Sequence, residues 1–573
     1  MKKRSFQRPI AALLSAGLLL SLTACSSSTS SSPTPTPPQN TSGTDGDGSV
    51  EDLYYNKEGY PISDEVITLT LSGPTGSTPN WNDTIMFEEY EKRLGIKLDA
   101  TTYSNDEWAT QFTLMLSSDS LPDLLGNCTL SPSDVLTYGG QGYFLDFTKY
   151  YDLMPALMET YEQYPEYKTF LTSPQGSVYG FSLLSDWIDS SLLVPQTYMS
   201  KTWLKNVGKE APTTLDELYD VLLAFKTQDA NGNGDKDDEI PMGMAGEASW
   251  QSELPILWAF GINGYDFTYN LTTTDSGAVV LGETTDNYKA FLKYMHKLYS
   301  EGLINKDAYV LTSDELQEKV LNCQVGYFGN YVMSTKAGNQ DEMDWYYVTG
   351  FTDKNYNTQQ IAVMNNRVSS NYRALASATT KYPEAVARFI DYMYTDEGVL
   401  SQLNGYEGVT FDYRDVNGIG VIDHTNYAKD YASTDEYRAK KAIALNSFSL
   451  KRINQGTIYN LLKQTPTEEL TNTKGEVWEL CTGNALREYA LRSGEVKTAH
   501  RFPTIAYTSE EASRRSTLLA DVKTYLTAAK AQFIIGEVDI DSGWSTFLSE
   551  LNSMGLSDLL AIEQAAYDRY SGK

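Results

Sequence analysis

Val66-Ile67-Thr68-Leu69-Thr70-Leu71 alternates apolar and polar side chains and stops at Ser72-Gly73-Pro74, the pattern of a half-buried strand running into a turn. A helical period follows. From Thr84 to Leu94 the apolar positions are Ile85, Met86, Tyr90 and Leu94, and Gly95 closes the segment as a helix C-cap would. Ile96-Lys97-Leu98 opens a second strand and Asp106 to Ser117 reads as a second helix. Leu121-Pro122-Asp123-Leu124-Leu125-Gly126 reads as a buried strand ending in a loop. Strand, helix, strand, helix, strand predicts an α/β body built on a parallel sheet. Ligands of such sheets sit at the carboxyl ends of strands, which marks the loops 73–81 and 126–130.

Further along, Val178 to Ser182 and Leu192-Leu193-Val194 read as short extended segments where the chain would cross between lobes. Thr214 and Glu217 have capping-box spacing, and Leu215, Leu218, Leu222 and Phe225 form the stripe of the helix they open. Helices are predicted over 286–300, 313–321 and 383–394, a strand over 325–328 and a hairpin over 408–424. The C-terminal stretch is helical. Trp544, Phe547, Leu548 and Leu551 fall three, four and seven apart, a spacing that assigns Trp544 to packing, and a further helix follows Gly555.

The 573 residues leave room for two or three domains. A net charge of −30 argues against nucleic acid and against docking on anionic lipid. Besides Cys25 the cysteines are Cys128, Cys323 and Cys481, an odd number without CxxC spacing, so neither a disulfide framework nor a zinc site is expected. The histidines, His296, His424 and His500, are far apart and in no recognisable catalytic pattern. At the N-terminus Lys2, Lys3, Arg4 and Arg8 precede a mostly apolar run, Ile10 to Leu22, too short to span a bilayer comfortably. Leu22-Thr23-Ala24-Cys25 resembles the processing box of bacterial lipoproteins, which implies cleavage before Cys25 and lipidation of it. Ser26 to Gly48 is Ser, Thr, Pro and Gly with almost no apolar residue, a spacer that cannot bury enough surface to fold.

A wider resemblance rests on Leu121-Pro122-Asp123, Val178-Tyr179-Gly180-Phe181, and Trp203-Leu204 followed by Ala211 to Leu218. It continues in Gln324-Val325-Gly326-Tyr327, Tyr382-Pro383-Glu384-Ala385 with Asp396-Glu397-Gly398, and Gly405-Tyr406-Glu407-Gly408, and extends to the ending Phe533 to Tyr570. In that order these pieces resemble the extracellular solute-binding lipoproteins of ABC importers, carbohydrate-associated group. The resemblance implies a two-lobed periplasmic-binding-protein-like fold of type II, with crossing hinge segments and a helical C-terminal region. The expected organisation is a signal peptide over 1–25, a disordered spacer over 26–62, an N-terminal lobe over 63–185 plus 370–435, and a C-terminal lobe over 186–369 plus 436–573. The implied function is capture of a solute, a neutral sugar or oligosaccharide, outside the membrane for import. The expected partners are that solute, ABC permease subunits, and the membrane by way of a lipid on Cys25, with no nucleic acid and a monomeric state. A ligand-presenting sensor, a peptide-binding lipoprotein and a glycoside-processing enzyme are the alternatives, and no catalytic residue is assigned.

Asp229-Ala230-Asn231-Gly232-Asn233-Gly234-Asp235-Lys236-Asp237-Asp238-Glu239 sets oxygen-bearing side chains at alternate positions and glycine at position 6, as an EF-hand-type calcium loop does. Position 12 is Ile240, so Asp238 or Glu239 would supply the last carboxylate, and calcium is the expected structural cofactor. The expected ligands are Asp229, Asn231, Asn233, Asp235, Asp237, Asp238 and Glu239. Asp415-Val416-Asn417-Gly418 is read as a plain turn. Sugar recognition needs flat apolar faces and planar polar groups. Trp81, Trp187, Trp250, Asn330, Tyr331 and Glu407 are the expected ligand contacts, each following a strand or lying in a loop.

Overall fold

The computed structural model describes residues 54–75, 80–186, 193–194, 197–329, 345–431, 436–438, 450–453, 458–470, 485, 487–494 and 496–572. The chain starts on the expected rhythm, β1 (Ile67–Pro74), α1 (Ile85–Leu94), β2 (Ile96–Tyr103), α2 (Asn105–Ser117) and β3 (Leu124–Leu130), although β3 takes in the stretch 126–130 expected as a loop; α3 (Pro132–Gly140) follows. Along β1, Ile67, Leu69 and Leu71 are buried while Thr68 and Thr70 are exposed, so the alternation does place one face inward. β1 runs parallel to both β2 and β3, pairing Leu69 with Leu98 and Leu71 with Leu124. Asp123 ties the two strands at their starts by accepting hydrogen bonds from the Thr70 N–H at 2.9 Å and the Thr70 hydroxyl at 2.7 Å.

β4 (Gly180–Asp186) lies in the same sheet, and the chain continues through β5 (Leu193–Val194) into a second sheet. That sheet is built from β6 (Thr197–Ser200), β7 (Ile240–Gly243), β8 (Val325–Gly329) and β9 (Trp345–Tyr347), with α4 (Leu215–Thr227) and α5 (Asp286–Ser300) between its strands. β10 (Ile361–Met364) pairs with β5, and β11 (Val368–Ala376) re-enters the first sheet. α6 (Pro383–Tyr392) and β12 (Lys451–Ile453) follow. β13 (Lys497–His500) joins β10, and the chain ends in α7 (Ser509–Ile535), α8 (Ile540–Ser553) and α9 (Leu556–Ser571).

Among the described residues the first sheet has the order β12-β4-β11-β3-β1-β2 and the second β9-β6-β8-β7. The first sheet corrects the expectation of a parallel one. β11 runs antiparallel between β3 and β4, because it returns from the crossing β10 instead of from a helix on the sheet's face. Two hydrophobic cores follow the sheets: one gathers residues 62–184, 368–406 and 450, the other 199–364 and 490–559. Together with the crossing strands β5, β10 and β13, this is the type II solute-binding architecture.

Residues 54–62 depart from the spacer expected over 26–62. Ile62 is fully buried in the first core, and Arg388 of α6 donates hydrogen bonds to the carbonyls of Asn56 and Gly59. The folded body therefore includes the segment from Tyr54. Trp544 packs in the second core as expected. Asp415 caps the 415–418 turn by accepting from the Gly418 N–H at 3.2 Å, within the hairpin Asp412–Val416/Ile419–Asp423.

Candidate functional site

A cavity of about 860 Å³ opens where material from both cores meets. Its first wall is Ser131 and Ser133 at the start of α3, just past the carboxyl end of β3, together with Ser370 and Asn371 of β11. The opposite wall is the loop 264–271 and the half-buried residues Arg515, Leu519 and Lys523 of α7. Residues 501–507, between β13 and α7, close the third side. Asn366 links that side to the crossing between β10 and β11, donating to the Phe502 carbonyl at 3.0 Å and the Thr504 hydroxyl at 2.9 Å. The volume falls within the ~300–1,000 Å³ range of small-molecule sites.

Local chemistry explains how the loop 264–271 keeps its shape. Asn270 accepts from the Asp266 N–H at 2.7 Å and donates to the buried Glu283 carboxylate at 2.6 Å. A side chain at Gly264 would meet Asn270 Oδ1 at 2.0 Å, so only glycine fits there. Lys523 of α7 forms an ion pair with Asp266 at 2.8 Å. The loop thus presents Tyr265 and Phe267, both half-buried, to the cavity. Phe502 and Tyr507 face it from the third side, also half-buried.

Beneath the cavity Glu563 of α9, fully buried, accepts from Tyr269 Oη at 2.9 Å, from Tyr507 Oη, and from Arg515 Nε at 2.8 Å. The Arg515 guanidinium lies 4.6 Å from the Tyr507 ring centroid, and that of Arg501 lies 5.1 Å from Tyr265. Burial, with Glu563 beside them, pushes the Tyr269 and Tyr507 phenols well above their ordinary range, so both remain hydrogen-bond donors. Burial opposes the Arg515 charge, but Tyr507, Glu563 and Tyr269 outweigh it and hold the guanidinium protonated. Aromatic faces thus alternate with fixed donors and acceptors, the surface a polyhydroxylated ring requires.

The expected ligand contacts fare differently. Trp81 is a correction: it is 0% exposed, donates Nε1–H to the Thr75 carbonyl at 3.3 Å, and belongs to the first core. A side chain at Gly73 would meet its ring at 2.7 Å, so β1 passes too close for the ring to leave a face for a ligand. Glu407 is exposed, bridges to Phe411 and does not line the cavity. Trp187, Asn330 and Tyr331 lie outside the described residues, as does the side chain of Trp250, whose backbone sits in the turn Gly246–Glu253. Cys25 also lies outside them. Tyr265, Phe267, Phe502, Tyr507 and Arg515 were not foreseen. The alternation of aromatic and polar residues in Tyr265-Asp266-Phe267-Thr268-Tyr269 after Gly264 was a readable signal.

The acidic loop 229–239 lies elsewhere and lines no part of this cavity. Its backbone turns twice in the left-handed region, at Gly232 and Gly234. Asp229 accepts from the N–H groups of Gly232 at 2.9 Å and Gly234 at 3.0 Å; Asn231, Asn233 and Asp235 each accept from the N–H two residues on. The amides of Asn231 and Asn233 donate to Asp238 at 3.0 and 2.9 Å. Among the described residues no three His, Cys, Asp or Glu side chains converge as metal ligands. The donor set is nevertheless one for a hard cation. Buried Oε2 of Glu239 has no hydrogen-bond partner, and burial pushes that carboxyl up.

Residues 78–400 match the family described as bacterial extracellular solute-binding protein. Over its whole length the chain is 26% identical to the fructooligosaccharide ABC transporter substrate-binding protein FusA of Streptococcus pneumoniae, of which it covers 99%. It is 24% identical to lipoprotein LipO of Bacillus subtilis over 61% of this chain and 66% of that one. Among solved structures, the S. pneumoniae FusA EF-hand mutant in complex with fructo-nystose superposes with a TM-score of 0.70 at 24% identity, covering 88% of this chain and all of the other.

Proposed function

Because this chain belongs to the family of bacterial extracellular solute-binding proteins, we propose that it captures an oligosaccharide for an ABC importer and releases it chemically unaltered. The observation that carries the sugar reading is the cavity of about 860 Å³ whose half-buried aromatic rings, Tyr265, Phe267, Phe502 and Tyr507, alternate with fixed polar groups. Rings of that kind stack on the apolar face of a pyranose or furanose, while Arg515, Asn371 and the serines at the start of α3 meet its hydroxyls. The two hydrophobic cores are proposed to be the two lobes, near 63–185 plus 370–435 and 186–369 plus 436–573, except that Leu450 and β12 (Lys451–Ile453) pack with the first lobe and move there from the second. Closure about the crossings β5, β10 and β13 expels water and surrounds the solute. Trp187, Trp250, Asn330 and Tyr331 are proposed to extend the site. The mature protein is proposed to be a monomer held outside the cell by a lipid on Cys25, a reading that the similarity to a lipoprotein supports. Calcium is proposed to sit in the loop 229–239 as a structural ion, held by its carboxylates and amide oxygens and supplying a partner for the buried Oε2 of Glu239.

The test is a thermal-shift series with kestose, nystose and maltotriose, followed by chromatography of the recovered sugar. A ligand that binds only the folded state raises the melting temperature by mass action, about 2.7 kcal/mol of stabilisation at one hundred times Kd. Recovery of intact sugar is the expected result. Fragments of the sugar would instead indicate hydrolysis.

A further inference from the structure

Lys530 of α7 is 4% exposed and Glu253 is 2% exposed, so their ion pair is cut off from water. Lys530 Nζ stands 2.9 Å from each Glu253 oxygen and donates a hydrogen bond to Oε1. A pair buried in this way gains little net stability, since the desolvation of both ions offsets their attraction. Its placement suggests another role. The same Nζ donates to the Phe267 carbonyl at 3.0 Å and lies 3.7 Å from the centroid of the Phe267 ring. Phe267 is the half-buried ring of the loop 264–271 that faces the cavity, and Glu253 is the last residue of the turn Gly246–Glu253. One ammonium therefore joins three elements: the long helix, the turn and the aromatic loop.

We propose that Glu253 and Lys530 are positioning residues for ligand capture. Lys530, held in place by Glu253, fixes the carbonyl and one side of the Phe267 ring, so that the rest of the ring is a rigid platform on which a sugar stacks. This rests on the oligosaccharide reading given above. A preset platform loses less side-chain entropy on binding than a free phenyl ring, and a cation against one side of a ring holds its orientation. Lys523 pins the same loop one residue earlier through Asp266, at a more exposed position.

Removing one partner would leave the other as an uncompensated buried charge, so single variants confuse folding with binding. The informative variant is the double substitution Glu253→Leu with Lys530→Met, which replaces the pair by apolar groups of similar volume. Phe267→Ala serves as the companion variant. Full-length wild type and both variants are melted and then applied to an array of fructo-, gluco- and galacturono-oligosaccharides. The double variant is expected to melt at or above the wild-type temperature and to bind the wild type's glycans at least about tenfold more weakly, as Phe267→Ala does. Wild-type affinity in a stable double variant, or in Phe267→Ala, would overturn the positioning role while leaving the solute-binding reading intact. A wild type that retains no glycan on the array would overturn the sugar reading and the platform with it.

Discussion

Asp391 on α6 accepts a hydrogen bond from the Leu157 N–H at 2.9 Å and is otherwise withdrawn from water; burial pushes its carboxyl up to about 6. In an unfolded chain the same group titrates near ~4. The folded state binds the proton more tightly, so Asp391 opposes folding above about pH 6, and that cost fades as the pH falls toward ~4. Asp391→Asn is therefore expected to be more stable than wild type at pH 7 and equal to it near pH 4, read by urea denaturation at both pH values. At the loop 229–239 the expected outcome concerns a cation. Added calcium should raise the wild-type melting temperature, chelation should reverse the gain, and Asp229→Ala should abolish it. An unchanged melting temperature in the wild type would remove calcium from the loop. Most of these residues were visible in the sequence, since alternate oxygens and glycines form a local pattern. The burial of Trp81 was not, because it depends on how closely Gly73 and Gly126 approach across the sheet.

At the level of elements, capping residues mark helix starts where the apolar stripe alone is weak. Thr508 opens α7 with a capping box: its hydroxyl accepts from the Glu511 N–H at 3.2 Å, and the Glu511 carboxylate accepts from the Thr508 N–H at 2.9 Å. Gly536 ends the helix in the left-handed conformation with φ 81°. Thr508→Ala is expected to lower stability by about 1 kcal/mol in chemical denaturation without changing the family of ligands bound. The length of α7 was not legible, because its buried set, Ala512, Val522, Leu526, Ala529, Lys530, Phe533 and Ile534, mixes small and charged residues with apolar ones. The cavity aromatics were missed for a related reason. Tyr265 and Phe267 become a wall of the cavity only once α7 and the segment 501–507 are placed against their loop.

For the molecule as a whole, two cores joined by the crossings β5, β10 and β13 imply rotation of one half against the other when solute binds. Small-angle scattering is expected to give a smaller radius of gyration with saturating ligand than without; an unchanged radius would mean that the solute binds to a preset groove. Tethering belongs to the same scale. Cys25→Ala should shift the protein from the membrane fraction to the soluble one in a bacterial host, and a membrane fraction that keeps it would remove the lipid.

The sequence by itself determined the elements and their class. Strand alternation, helix stripes, capping boxes and glycine stops act within a dozen residues, and β1 to α2 follow them closely, whereas β3 runs through the stretch 126–130 expected as a loop. Only the tertiary structure decided that β11 runs antiparallel through the first sheet, that Trp81 is packing and not platform, and that Lys530 sits against Phe267. Each depends on contacts between residues tens to hundreds of positions apart, and the free energy of such contacts comes from burial and close approach, which no local pattern encodes.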